Sequence, residues 1–97
     1  MAKLVILPAA RADLIVIGDF IALDSPPRAA SFVAEIEAKI VEIGERPGSF
    51  QEREDLHPGL RHAPHGRYLI FFIDKDGEVQ IVRVLQGSRD LPRMLRF

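Results

Sequence analysis

The stretch Arg67–Asp90, RYLIFFIDKDGEVQIVRVLQGSRD, predicts a β-hairpin followed by a glycine and a charged segment. Its first part, Tyr68–Ile73, is made of the aromatic, β-branched and aliphatic residues that fit a packed strand. Asp74–Gly77 has turn chemistry, because aspartate bonds its own backbone and glycine adopts positive φ at no steric cost. Val79–Leu85 is then the return strand, and Gly87 ends it.

Both faces of the first strand of this hairpin are apolar. A strand of this kind is typical of a sheet that is covered on both sides. Burying each such side chain contributes about 1.5–3 kcal/mol, so an uncovered face would be costly. Helices of the same chain can cover one face, and the other needs the chain's ends or another molecule, which points to a binding protein. Alternation places Tyr68, Ile70 and Phe72 on one face and Leu69, Phe71 and Ile73 on the other.

The composition predicts an ordinary globular domain spanning residues 1–97. Apolar residues make up 47% of the chain and charged residues 28%, which argues against disorder. Cysteine is absent, which excludes disulfide and thiolate chemistry. No signal peptide or membrane-spanning run is recognisable, so a cytoplasmic protein is expected, without a membrane partner or a cofactor.

Charge is distributed unevenly along the chain. Residues 1–56 hold six basic and ten acidic residues, a net charge of −4, whereas residues 57–97 hold seven basic and four acidic residues, a net charge of +3. The whole chain carries −1, which does not favour direct nucleic-acid binding. The C-terminal half is the part expected to meet an acidic partner.

The remaining pattern predicts an α+β fold. Lys3–Leu7 reads as a strand, Ala9–Leu23 as a helix, and Ser25 caps a second helix that runs to about Gly44. Gly48–Gly59 reads as a loop and Leu60–Ala63 as a short strand before the hairpin. We therefore expect an N-terminal strand, a helical hairpin, and a three-stranded antiparallel meander with the helices on one face of a small sheet.

The apolar stripes of the two helices are interpreted as core. In the first helix, Val16 and Phe20 widen the stripe. After Gly87, the segment Ser88–Phe97 is expected to form one short turn and a loose tail.

Laid out in this order, the chain resembles the RelE/ParE superfamily of bacterial type II toxins, and within it the ParE-type branch. The most specific carrier is Val82–Asp90, VRVLQGSRD, which is similar to the family's RVLHGxRD ending. Gln86 replaces the histidine of that ending, so a role that needs an imidazole there is lost. The other carriers are Ala12–Leu14, Pro26–Ala30, Arg46–Gly48, Leu60–Arg61 and Gly66–Phe72.

The resemblance implies a toxin held by a cognate antitoxin whose C-terminal segment lies along the toxin's helices and sheet. Strand addition and helix-in-groove docking are the physical modes available for such a segment. The resemblance further implies that the free toxin acts on DNA gyrase and blocks replication without being an enzyme. The residues expected to bind antitoxin are Arg67, Leu69, Phe71, Ile73, Ile81 and Arg83, and those expected to contact the target are Arg89, Arg93, Arg96 and Phe97.

Two alternatives stay open. RelE-type relatives cleave mRNA on the ribosome, and here Arg61, His65, Arg67 and Arg83 would have to supply cations and proton transfer. A homologue that binds antitoxin but has lost its toxicity is the other alternative. The histidines (His57, His62 and His65) are interpreted as loop residues and not as metal ligands.

Arg83 interrupts an apolar strand and has two interpretations. It either pairs with an acid such as Asp90 or Glu78 at the sheet edge, or it contacts the antitoxin or the target. Arg89 and Asp90 are interpreted as an intramolecular ion pair, and the residues beyond them as target contacts or a frayed terminus.

Overall fold

The computed structural model describes residues 3–95 of the chain. Within that range the sheet has five strands in the order β1-β5-β4-β3-β2. The predicted α+β order is confirmed, with two additions: a 3-10 turn at the start of the predicted loop and a two-residue strand inside it. The elements are β1 (Lys3–Ile6), α1 (Pro8–Ala22), α2 (Pro26–Glu45), the 3-10 turn (Pro47–Ser49), β2 (Gln51–Glu52), β3 (Leu60–His65), β4 (Tyr68–Lys75), β5 (Glu78–Gln86) and α3 (Leu91–Met94).

The turn and cap chemistry read from the sequence is present in the structure. Asp76 and Gly77 join β4 to β5 with φ of 53° and 74°, so both central residues of the turn are left-handed. Such a turn twists in the same sense as the strands that it joins. At the start of α2, the Ser25 hydroxyl accepts a hydrogen bond from the Arg28 amide at 3.3 Å, with Pro26 in the first turn.

The edge strand β1 covers only half of β5. It runs parallel to β5, with Lys3 opposite Glu78 and Ile6 opposite Ile81. Pro8 begins α1 directly afterwards, because proline is accepted in the first turn of a helix and cannot donate to a ladder. As a result, no strand lies beside β5 beyond Ile81 on this side, within the described residues.

The helices α1 and α2 cover one face of the sheet, as predicted. Their inward residues, including Ile17, Ile36 and Ile40, pack with Ile70 and Phe72 of β4 in one buried cluster. Burial of aliphatic and aromatic side chains of this kind supplies the main stabilisation of the domain.

The opposite face of the sheet is largely covered by the chain itself. Phe71 and Val82 are buried there, packed with Leu91 and Leu95 from the C-terminal segment and with Leu56 from the loop before β3. The short turn expected after Gly87 is present as α3, but the expectation of a loose tail after it is wrong as far as Leu95, because Leu91 and Leu95 are buried and anchor this segment. The apolar strand pattern alone thus does not require a partner on this face.

A β-bulge breaks the alternation of β5. Phe71 lies opposite Arg83 and Phe72 opposite Ile81, so Val82 is the extra residue. Consequently Ile81 and Val84, which are three positions apart, both pack on the helix side, whereas Val82 and Leu85 pack on the opposite side.

Among residues 3–95, no helix is long and apolar enough to cross a membrane.

Candidate functional site

The outward side of α1 is an exposed apolar surface. Ile15 is 65% exposed, Val16 66%, Phe20 64% and Leu23 83%. We call these four residues the α1 outer face. The interpretation of Val16 and Phe20 as core is wrong, because the inward side of α1 is already occupied by residues such as Ala10 and Ile17. Clustered apolar exposure of this kind marks interaction surfaces.

A groove runs beside the α1 outer face. It is an open cavity of about 280 Å³ between α1 and the half of β5 that β1 leaves uncovered. Val16 and Phe20 form its helix wall, Val84 and Gln86 its strand wall, and Met94 of α3 one end. Apolar walls with a few polar groups are typical of a binding groove.

The groove is lined by an ion pair between Asp13 of α1 and Arg83 of β5, which we call the Asp13–Arg83 clamp. Arg83 donates to the Asp13 carboxylate from Nε at 2.8 Å and from Nη2 at 2.9 Å. The Val84 backbone amide donates to the same carboxylate at 2.9 Å, and Arg83 Nη1 donates to the Met94 carbonyl at 3.1 Å. The hydrogen bonds from Arg83 to Asp13 raise the pKa of Arg83 above its ordinary value, which is already high.

The expected acid partners of Arg83 are therefore wrong. Its carboxylate comes from α1 and not from Asp90 or Glu78, and Glu78 accepts instead from Gln80. Within residues 3–95, Arg89 and Asp90 also form no ion pair with each other. The interpretation of Arg83 as an arginine in an ion pair is correct, but its partner is Asp13 on α1.

A second cavity adjoins the groove at the end of α1. This cavity of about 330 Å³ shares Phe20, Tyr68 and Gln86 with the groove, and its other walls include Phe32, Arg28 and Arg67. Arg28 is engaged, since it binds Glu35 at 2.7 Å and lies 5.1 Å from the centre of the Phe32 ring. The side chains of Arg67 and Arg89 are exposed and have no partner among residues 3–95.

The residues expected to bind antitoxin fall into three groups. Arg67 and Arg83 line the cavities beside α1, and Leu69 and Ile73 are partly buried on the sheet face opposite the helices. Phe71 and Ile81 are 0% exposed, and Ile81 packs on the helix side of the sheet. Neither of these two can touch a partner in this conformation, because each lies under the chain's own side chains.

The residues expected to contact the target lie at the C-terminal end. Arg89 precedes α3 and lines the groove, and Arg93 lies exposed on α3. Arg96 and Phe97 fall outside the described residues.

Two of the four residues expected for RNA cleavage, Arg61 and His65, are held apart from each other and engaged by different groups. Arg61 and His65 lie four residues apart on β3, about 13 Å along an extended strand. Arg61 donates to the Phe50 carbonyl at 2.7 Å and to Glu52 at 3.1 Å. His65 Nε2 donates to Glu35 at 2.8 Å, and the hydrogen bonds from Arg28 and then His65 lower the pKa of Glu35.

The interpretation of the histidines as loop residues is wrong for His62 and His65, which lie on β3, and holds for His57. Arg53 Nη1 donates to His62 Nδ1 at 3.1 Å, and because a guanidinium only donates, His62 is the neutral tautomer that accepts there. His57 Nδ1 lies 2.9 Å from the Pro58 carbonyl oxygen. Across residues 3–95, histidine and acidic side chains form no group of three that could hold a metal ion.

The α1 outer face is the part of the site that the sequence reading missed. A signal was present: the run Leu14–Ile17 is apolar at four consecutive positions, which is wider than one buried stripe of a helix. A helix in a two-layer domain has only one side to bury, so part of this run had to face outward.

Comparison with known proteins places these features in a family. A family model described as the ParE toxin of the type II toxin–antitoxin system parDE matches residues 4–91. The chain is similar to Toxin ParE1 of Caulobacter vibrioides, with 37% identity over 62 residues, which are 63% of this chain and 62% of that protein's length. It is also similar to a chain in the solved structure of a chromosomal ParDE TA system from P. aeruginosa, with a TM-score of 0.77, 26% identity, and coverage of 89% of this chain and 96% of the other. The chain therefore belongs to the ParE toxin family of type II toxin–antitoxin systems.

Proposed function

We propose that this protein is a cytoplasmic toxin that a cognate antitoxin neutralises by binding along α1, and that the free toxin inhibits DNA gyrase and so blocks replication. The family match supports the toxin role, and the similar solved chain belongs to a ParDE system. Inhibition of this kind requires binding to the target and no catalytic group on the toxin itself.

One observation carries the antitoxin part of the proposal. The α1 outer face presents three large apolar side chains of α1 to solvent, together with Leu23 directly after the helix, beside an open groove. Covering each such side chain contributes about 1.5–3 kcal/mol, so a partner that covers them gains considerable binding free energy. An amphipathic helix laid in a groove is the recognition mode that fits this shape.

The proposed antitoxin-binding surface differs from the surface expected from the strand pattern. The sheet face opposite the helices is mostly occupied by Leu91, Leu95 and Leu56, so less apolar surface remains there for a partner. We propose that the antitoxin covers the α1 outer face first, and that Arg67, Leu69, Ile73 and Arg83 contribute at its margins.

For the target, we propose that the C-terminal end of the chain makes the contact. Arg89 and Arg93 are exposed cations without a partner among residues 3–95, and exposed arginines are frequent interface residues. Arg96 and Phe97 would extend this surface. Arg89 also lines the groove, so a bound antitoxin would cover part of the same surface.

The test combines two assays. Purified gyrase is assayed for DNA supercoiling with the toxin alone and with the toxin plus antitoxin, and a reporter mRNA is translated in vitro in parallel. Supercoiling that is inhibited by the toxin, restored by the antitoxin and accompanied by intact translation is the expected result. Cut mRNA with unaffected gyrase would replace the gyrase proposal with the RelE-type alternative.

A third result would change the proposal in another way. If antitoxin binds tightly while gyrase, translation and cell growth are all unaffected, the chain is a binding homologue without toxicity. The RNase alternative has no support in the geometry, since Arg61, His65 and Arg83 are each engaged by different groups.

A further inference from the structure

Two free arginines flank the end of the groove beside α1. Arg67 lines the cavity next to the groove and Arg89 lines the groove itself. The two cavities meet at Phe20, Tyr68 and Gln86, which contribute to both. The apolar surface of α1 therefore ends between two positive charges.

These two arginines differ from most others in the described part of the chain. Five arginines are engaged by a carboxylate: Arg28, Arg46, Arg53, Arg61 and Arg83. Of the arginines in residues 3–95 without such a partner, only Arg67 and Arg89 line the groove or the adjoining cavity.

The acids near this end of the groove are already in use or do not reach. Asp13 accepts from Arg83 and from the Val84 amide, and Glu35 accepts from Arg28 and His65. Asp19, which is exposed on α1, and Asp90, which directly follows Arg89, form no ion pair with either free arginine. Neither Arg67 nor Arg89 therefore has a carboxylate partner within residues 3–95.

We propose that the partner segment bound in the groove is apolar where it covers the α1 outer face and acidic where it passes Phe20, with one carboxylate reaching Arg67 and another reaching Arg89. This inference rests on the proposed function, since the segment belongs to the antitoxin. Arginine binds carboxylates through two parallel hydrogen bonds, which specifies orientation as well as affinity. The acidic part thus sets the direction in which the segment lies along α1.

Gln86 offers a further hydrogen-bond donor to an acidic partner. Its side chain lines both cavities and has no partner among residues 3–95. An amide can donate to a carboxylate at any pH at which the acid is ionised. Nucleic acid would also pair with two arginines, but the exposed apolar surface beside them fits a protein segment better.

The test measures binding of the toxin to its purified antitoxin at low and at physiological salt. The variants are Arg67→Gln, Arg89→Gln and the double variant, and the matched control is Lys75→Gln, an exposed cation at the end of β4 that has no ion-pair partner among residues 3–95 and lines neither cavity. We expect each single variant to weaken binding about fivefold and the double variant to weaken it further, mostly through slower association at low salt. Lys75→Gln should stay within about twofold of the wild type.

A separate variant tests whether the antitoxin lies in the groove, independently of the acidic contacts to the arginines. Phe20→Ala removes an apolar contact and leaves both arginines, so it reports on the groove alone. If Phe20→Ala weakens binding and the double arginine variant does not, the proposed acidic contacts are wrong. The groove beside α1 is then still the antitoxin site. If neither weakens binding, the antitoxin does not lie along α1 and both proposals fail.

A single-stranded ribo-oligonucleotide is the last probe. If wild-type toxin binds it, the double variant does not, and antitoxin affinity is the same in both, the arginines serve a nucleic-acid site and the proposal is overturned. Thermal unfolding of every variant is compared with that of the wild type, and exposed arginine substitutions should change it little.

Discussion

Asp13 and Arg83 are 70 positions apart in the chain, and the carboxylate of the first accepts two hydrogen bonds from the guanidinium of the second. The side chains are only 13% and 25% exposed, so water screens this pair less than a surface pair. The same carboxylate also binds the Val84 amide on the edge of β5 that β1 leaves uncovered. One aspartate therefore holds α1 to the sheet and blocks an open strand edge.

This clamp predicts a large effect of Asp13→Ala on stability. The substitution leaves the Val84 amide and most donors of Arg83 without a partner in a partly buried place. We expect unfolding free energy to fall by about 2–3 kcal/mol, measured by urea denaturation. The control is Arg46→Ala, which breaks an exposed pair with Glu42 and should cost about 0.5 kcal/mol or less. Equal effects of the two substitutions would contradict the clamp.

A second prediction concerns Phe71, which the sequence placed on the antitoxin surface. The side chain is fully buried among Val82, Leu85 and other residues of the sheet face opposite the helices. Phe71→Ala should therefore reduce unfolding free energy by about 3–5 kcal/mol through the cavity that it leaves. At a temperature where the variant is still folded, affinity for the antitoxin should be near that of the wild type. A stable variant with greatly weakened binding would restore Phe71 as a contact residue.

Substitutions on the α1 outer face should leave stability nearly unchanged and weaken antitoxin binding, which is the reverse of the effect expected for Phe71→Ala. Val16→Ser and Phe20→Ser replace side chains that are mostly exposed, so unfolding free energy should change by about 0.5 kcal/mol or less. Antitoxin affinity should fall by at least about tenfold for Phe20→Ser, because buried aromatic anchors dominate interfaces. Val41→Ser on α2, which is also exposed, is the matched control and should bind normally. Binding that is insensitive to both α1 substitutions would remove α1 from the interface.

His62 makes stability depend on pH. Burial, and then the nearby charge of Arg53, lower the pKa of His62 below the usual value of 6.5. The unfolded chain therefore binds more protons than the folded chain between the lowered pKa and 6.5, so stability rises with pH in that window. The contribution of His62 is complete above pH 6.5 and is lost as pH falls through the folded pKa.

The corresponding measurement is urea unfolding at pH 7.5 and at pH 5.5. Wild-type protein should be less stable at the lower pH, and His62→Gln, whose side-chain oxygen can still accept from Arg53, should show a smaller difference. The same pH dependence in both proteins would show that His62 does not carry the effect.

Local patterns in the sequence were sufficient to predict the two long helices, the four longer strands and the family. Capping by Ser25, the Asp76–Gly77 turn and the apolar runs of β4 and β5 are decided by neighbouring residues, and each appears in the structure. The ending VRVLQGSRD carried the resemblance, and the family match includes all of it.

The face of each residue on β5 was decided only by tertiary structure. A strict two-residue period cannot anticipate the bulge at Val82, which puts both Ile81 and Val84, three positions apart, on the helix side. Likewise, the ion partner of Arg83 lies on α1, and nothing near Arg83 in the sequence identifies Asp13.

The sequence by itself thus determined the strand–helix–helix–strand order, the turns and the family, because these depend on interactions within a few residues. Tertiary structure decided which apolar residues remain exposed, because this depends on how many faces each element can bury. The chain's own C-terminal leucines cover the second face of the sheet, whereas α1 has no neighbour within residues 3–95 on its outer side. The proposed binding surface therefore lies on a helix that the sequence pattern had assigned to the core.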